Sequence, residues 1–280
     1  MATDTFEAKP LAACSSCAAP LQGRFCHACG EKTFDPRDHS VKYFLGELLR
    51  TFTHLDSKFL QSLRLLFVQP GLLTREYLSG RKKRHTKPLA IFIIANVVFF
   101  LSQTWLINLN SFDTRLISQM HWQPYSSWIK PWVEEKIVQA GLDFAAYERL
   151  FDAKSEHLGK TLVIFQIPVW ALLVQVLHFG SRRYYFDHLI FATHYYAFML
   201  YLNILVAIAM FIFIKLAGTG YNLEIPFVLV LIVYLFFALR QVYQQRKVAA
   251  SLKGILLAGG TFLVLWLYRF ALFLVTFYTL

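Results

Sequence analysis

Five long apolar blocks constrain this chain more than any other feature. They are LAIFIIANVVFFLSQTWLI (89–107), TLVIFQIPVWALLVQVLHF (161–179), a run from Leu189 to Ile214, LEIPFVLVLIVYLFFAL (223–239) and GILLAGGTFLVLWLYRFALFLVTFYTL (254–280). At about 1.5 Å rise per residue, roughly 20 apolar residues cross the hydrocarbon core of a bilayer. One such block is also what a buried helix of a water-soluble protein looks like. Five of them, without amphipathic helices between to cover them, leave too much apolar surface for water. Composition agrees, with 56% hydrophobic and 16% charged residues. The expected fold is an all-α membrane protein. About five transmembrane helices occupy residues 89–280, preceded by a small zinc ribbon (1–34) and short amphipathic helices (35–88).

The start of the chain, MATDTFEAKP, lacks the basic and apolar stretches of a secretory signal, so residues 1–88 are expected on the side of synthesis. Charge bias points the same way. Residues 1–88 carry 14 Lys and Arg, 180–188 carry two and 240–253 carry four, against six in 108–160 and one in 215–222. The positive-inside rule then places the N-terminus in the cytoplasm and, with five spans, the C-terminus outside. The formal charge of +11 reads mainly as a topology signal, and a nucleic-acid partner is disfavoured. RKKRHTK (81–87) stands directly before the first span. There Arg81, Lys82, Lys83 and Arg84 are expected to contact anionic headgroups, at about 1 kcal/mol per basic residue. Arg182 and Arg183, between the second and third spans, are expected to do the same.

All four cysteines fall in CSSCAAPLQGRFCHACG (14–30), as Cys14-x2-Cys17-x8-Cys26-x2-Cys29. Each Cys-x2-Cys turn presents two sulfurs to one ion, and Zn²⁺ favours four thiolates in a tetrahedron. Iron takes the same ligands. A reducing cytoplasm argues against disulfides. His27 lies inside a knuckle and is read as a surface residue, since four thiolates already complete the shell. A closed shell leaves no position for substrate, so the ion is structural, and its binding supplies the folding energy of a module too small for a core. With few basic or aromatic residues nearby, the ribbon is expected to dock a protein or the rest of its own chain.

Residues 38–80 read as amphipathic helices. VKYFLGELLRTF (41–52) is the first. The second starts at Asp56 or Ser57, with Phe59, Leu60, Leu63, Leu66 and Phe67 on one side and Lys58, Gln61, Ser62 and Arg64 on the other. Pro70 and Gly71 end it, and LLTREYLSG (72–80) adds one or two turns. Such helices just before a span are expected at the membrane interface.

Ionisable residues inside spans are functional candidates because leaving them unpaired is costly. Arg269, in the fifth span, is expected to snorkel, to pair with Glu224, or to bind an anionic substrate or lipid. In the third span Asp187 and His194 are seven apart, on one helical face, and His188 and Tyr195 repeat that relation. His178 is placed to approach them, which raises a metal or proton site. Asp187 is equally a helix cap. Gln166 and Asn203 are expected in interhelical hydrogen bonds or a polar pathway, and Pro168 and Pro226 are expected to kink their spans. The outer segment, 108–160, is expected to form a small helical cap, with Trp122, Trp128 and Trp132 at headgroup level. The sequence has no phosphate-cradling glycine loop, no serine-nucleophile motif and no inverted repeat.

The stretches GRFCHACGEK, QPGLLTREYLSGRKKRHTKPLAIFI, YYFDHLIFATHYYAFM and YLFFALRQVYQQRKVAASLKG together resemble a family of uncharacterised bacterial inner-membrane proteins. Its members carry an N-terminal four-cysteine zinc ribbon. The resemblance runs from residue 14 to about 254. Ser15 and Ala18 depart from the family pattern, replacing Pro and Gly in the first knuckle, and Tyr196 is the residue at a position where the family has an aromatic residue or His. The resemblance implies a membrane location and a zinc ribbon, and no activity. Of three functions weighed, a non-enzymatic scaffold or assembly factor is preferred to a transporter or lipid-handling protein, and both to a metal-dependent membrane enzyme.

Overall fold

A computed structural model describes residues 13–14, 16–21, 23–30, 57–103, 115–217 and 224–280. These residues form helices and turns and no β-strand. The helices are α1 (Ser57–Val68), α2 (Leu72–Leu78), α3 (Pro88–Gln103), α4 (Leu116–His121), α5 (Ser126–Ala140), α6 (Phe144–Leu162), α7 (Gln166–Leu177), α8 (Tyr185–Ala217), α9 (Glu224–Tyr243) and α10 (Lys247–Thr279). The helix expected at 41–52 lies outside the described residues.

Four helices are long and apolar enough to cross a membrane: Phe144–Leu177, Tyr185–Leu216, Ile225–Tyr243 and Lys247–Thr279. Five spans were expected. The first expected span, 89–107, is described only as the shorter apolar helix α3, of 16 residues. That length is about 24 Å, less than the roughly 30 Å of a hydrocarbon core. Residues 104–107 lie outside the described residues.

The helix that carries the second apolar block begins far earlier than residue 161. Asp143 caps α6, its carboxylate accepting from the Ala146 N–H at 2.8 Å. This satisfies one of the free donors of the first turn. The helix then runs through one 3₁₀ turn, Val163–Phe165, into α7. Pro168 follows that turn. It has no N–H to give and its ring crowds the carbonyl one turn back, so the helix tightens locally. Pro226 stands in the first turn of α9, where an N–H has no helical partner and proline costs nothing. From there α9 continues to Tyr243.

Leu101, Leu172, Leu205, Leu229, Val233 and Leu256 each expose half or more of their surface. Their inward neighbours Phe92, Trp170, Ile190, Leu235 and Leu257 are fully buried. A bundle apolar on both faces is matched to lipid rather than water. One core runs from Leu66 in α1 to Leu272 in α10. A second, smaller core joins Leu116, Tyr125, Ile129, Tyr147 and Phe151 to Phe273 and Phe277. The last turns of α10 therefore serve the α4–α6 layer, not the bundle. The bundle end holding α1, α2 and the close of α9 is called the near end below, and the α4–α6 layer the far end.

At the near end α1 and α2 fold back onto the bundle. The polar side expected for α1 is partly inward. Ser62 is fully buried while Leu60 is 70% exposed. The reason is a tie to the following loop: Ser62 Oγ accepts from the Thr86 N–H at 2.9 Å and donates to the Lys58 carbonyl at 2.8 Å. Between α1 and α2, Gly71 holds φ +86. A Cβ there would sit 2.8 Å from the Ala238 carbonyl oxygen of α9. Only glycine permits both the left-handed backbone and this approach.

Candidate functional site

The two cysteine knuckles fold alike. The Ala18 N–H donates to the Cys14 carbonyl and the Gly30 N–H to the Cys26 carbonyl, at 2.8 and 2.7 Å. Ala18 and Gly30 both take the left-handed conformation, at φ +61 and +67. The four sulfurs lie within 4.8 Å of one another, with Cys14–Cys29 at 3.6 Å and Cys17–Cys26 at 3.5 Å. A tetrahedral ion with metal–sulfur bonds of about 2.3 Å needs sulfur–sulfur edges of about 3.8 Å. The set therefore fits a four-coordinate ion, and these separations are far beyond a disulfide bond. The Cys29 N–H directed at the Cys26 sulfur outweighs partial desolvation and holds that thiol down to about 6, which favours the ligating thiolate. Among the described residues, the four cysteines are the one group of three or more metal-ligating side chains that converges. His27 is exposed and outside it. Lys83, from the loop before α3, donates to the Cys29 carbonyl at 3.4 Å. Ser15 lies outside the described residues.

A second polar centre stands at the near end. Glu76, on α2, is 7% exposed. Its Oε2 is paired with His85 Nε2. Its Oε1 faces Arg81 Nη1 at 3.3 Å and Arg84 Nη1 at 3.9 Å. Burial alone would raise its pKa, but the His85 hydrogen bond and the charges of His85, Arg84 and Arg81 bring it below the usual carboxylate range. Two residues earlier on α2, Thr74 Oγ1 meets His194 Nδ1 of α8 at 2.9 Å.

This geometry separates Asp187 from His194. Seven residues on a helix are about 10 Å apart along its axis, too far to share an ion. Asp187 faces Arg183 at 4.0 Å, His194 meets Thr74, and His188 Nδ1 meets the Tyr243 hydroxyl at 2.7 Å. His178 does approach His188, with ring centroids 5.9 Å apart, and stacks on Tyr243 at 4.1 Å. Its Nδ1 donates to the Val174 carbonyl at 2.8 Å, so its Nε2 accepts from Gln245 Nε2, also at 2.8 Å. These hydrogen bonds and ring contacts fasten α7, α8 and the end of α9 together. Arg183 belongs to the same fastening. It donates to the Val242 carbonyl at 2.8 Å and lies over the Tyr243 ring. Arg182 remains exposed.

Arg269 Nη1 donates to Gln123 Oε1 of the far end at 3.4 Å, and the side chain of Glu224 lies outside the described residues. Asn203 Nδ2 donates to the Met199 carbonyl one turn back, at 2.8 Å. Gln166 is buried, and its Nε2 has no hydrogen-bond partner among the described residues. The bundle centre is aromatic. Trp170 stacks on Tyr195 at 4.3 Å, and both bond Thr261 Oγ1, at 3.2 and 2.8 Å.

Glu76, Thr74, His85, Tyr243 and Gln123 were not singled out from the sequence. Glu76 carried one usable signal, a lone carboxylate in LLTREYL followed by five basic residues within eleven positions.

Residues 56–100 match a family described as "Protein of unknown function (DUF3667)". The matched stretch holds α1, α2, the basic loop and most of α3, and with them Glu76, Arg81, Arg84 and His85. It excludes the cysteines. No curated protein and no solved structure matches the chain.

Proposed function

We propose that this chain is a multi-pass protein of a bacterial inner membrane that acts as a non-enzymatic scaffold or assembly factor. In this reading α3 is a fifth span, the N-terminus is cytoplasmic and the C-terminus is outside. The four cysteines hold a structural Zn²⁺, and the ribbon presents a docking surface to a cytoplasmic protein. Arg81, Lys82, Lys83, Arg84 and Arg182 then lie at the level of anionic headgroups. The observation that carries the reading is how the polar groups of the spans are used. His194 to Thr74, Trp170 and Tyr195 to Thr261, and Arg269 to Gln123 each join one helix or layer to another. A transport path needs such groups along a common cavity. The ribbon, by contrast, is a separate module joined to the membrane part through Lys83.

Cross-linking in native membranes, followed by purification of the full chain, tests this. A protein recovered with the wild type and lost with Cys26→Ser, at equal amounts of folded chain, is the expected result. A recovered set that is indifferent to Cys26→Ser overturns the docking role.

A further inference from the structure

The basic residues of the loop before α3 are of two kinds. Lys82 Nζ lies over the Tyr77 ring at 5.3 Å, and Lys83 is bonded to the ribbon. Arg81 and Arg84 instead converge on Glu76, both reaching the same oxygen, Oε1, while His85 takes Oε2. One carboxylate thus faces two guanidinium groups and an imidazole, so at least one positive charge stays uncompensated. A guanidinium carries five N–H donors. Among the described residues Glu76 is the polar partner of both arginines, and their side chains are 41% and 58% exposed. Most of their donors therefore remain open while their position is fixed from beneath. Glu76 stays ionised at neutral pH, since its partners hold its pKa down.

We propose that Arg81 and Arg84, positioned by Glu76, form a binding site for a phosphate group. The ligand is a phosphomonoester or phosphodiester, carried by a lipid headgroup or by a soluble phosphate. Three observations select phosphate. Two guanidinium groups with one carboxylate repel a metal ion. Planar forks fit a tetrahedral oxyanion with paired hydrogen bonds, which a lysine point charge does not. The loop also ends at Pro88, where the apolar helix α3 begins, so lipid phosphate is the nearest abundant anion. That last step rests on the proposed membrane placement of α3. Glu76 acts as a positioning residue and does not touch the ligand. A merely polybasic anchor would count charges. This site counts arginines.

The full chain in non-ionic detergent, titrated with lipids under native mass spectrometry, separates the two. The probes are phosphatidic acid, phosphatidylglycerol and zwitterionic phosphatidylcholine, each with and without inorganic phosphate. The wild type is expected to favour the first two over phosphatidylcholine about tenfold or more. Replacing both arginines by lysine, which keeps the charge and the fold, should weaken that binding about tenfold, the scale of one lost charge-assisted pair. Lys82→Ala with Lys83→Ala should change it less than about threefold. Competition by inorganic phosphate assigns the site to a soluble phosphate, and its absence to a headgroup. If the arginine-to-lysine variant binds like the wild type, or the lysine pair matters equally, the site is refuted while the surface reading stands. No preference for anionic lipid in the wild type, together with no bound inorganic phosphate, would overturn both.

Discussion

The ribbon and the helical bundle reach a fixed structure by opposite means. Among its described residues the ribbon buries Cys14 and Cys26, while Phe25 is 63% exposed. Its order comes from two knuckle turns and four sulfurs placed around one point. The bundle buries an unbroken core from α1 to α10 and leaves its outward apolar residues for lipid. One region rests on a few backbone bonds and on four sulfurs whose spacing fits an ion. The other depends on side-chain packing, because lipid offers helices no hydrophobic reason to associate. The difference teaches that perturbations should stay local, and that Lys83, which touches both, marks the seam.

The largest expected effect is on the ribbon. Cys26→Ser, or a strong chelator, should take metal content from one ion per chain to none and unfold residues 13–30. The bundle's thermal transition in detergent should not move. Metal analysis with differential scanning fluorimetry reads both, and a bundle transition that falls with the metal would break the comparison. Next in size is Trp170→Ala in the bundle. Trp170 is fully buried, stacked on Tyr195 and bonded to Thr261. Its loss should cost about 3–5 kcal/mol, lowering the bundle transition while metal content stays unchanged. A shift under about 1 kcal/mol would show that this aromatic centre is not what holds α7, α8 and α10 together.

A smaller effect should appear at the near end and depend on pH. The Glu76 carboxyl is held below its ordinary 4.5. A group depressed on folding contributes stability that is complete above the unfolded pKa and lost as pH falls through the folded one. The bundle transition should therefore fall as pH is lowered below the ordinary 4.5 and through the depressed folded value, and Glu76→Gln should remove that slope. Glu76→Gln should itself cost about 1–2 kcal/mol at pH 7, since Arg81 and Arg84 are partly exposed and screened. Equal slopes in both proteins would place the acid-sensitive group elsewhere.

Helicity, the apolar blocks and the cysteine cluster were legible in the sequence because each depends on local spacing. What escaped depends on contacts between distant segments. LLTREYLSG reads as a turn or two at the interface. Yet α2 is wedged between α8 and α9, so Thr74 and Glu76 are buried along with Leu73 and Tyr77. A one-face periodicity argument fails for a helix buried on two sides. Arg269 was expected to snorkel, to pair with Glu224 or to bind an anion. It also donates to Gln123, 146 residues away, which belongs to a layer whose packing on α10 no periodicity encodes. One side of the last turns of α10, with Phe273 and Phe277, packs into the second core with Tyr147 and Phe151 of α6, again a contact that local spacing does not encode.

The smallest effect tests the ribbon's dependence on backbone rather than packing, and here it should gain rather than lose. The two knuckles share one design: the residue after the second cysteine closes the turn at positive φ, bonding the carbonyl of the first cysteine. The second knuckle uses Gly30 and the first uses Ala18. A Cβ at φ +61 crowds its own backbone, at roughly 1–2 kcal/mol, while glycine costs more entropy in the unfolded chain, roughly 0.4–1 kcal/mol. Ala18→Gly should therefore stabilise the metal-bound ribbon by about 0.5–1 kcal/mol, a two- to fivefold gain in metal affinity by competition with a chromophoric chelator. Gly30→Ala should give a loss of similar size. If Ala18→Gly weakens metal binding, the knuckles are not equivalent, and the first is held by something other than its turn. The bundle transition should not respond to either change, since neither residue belongs to its core.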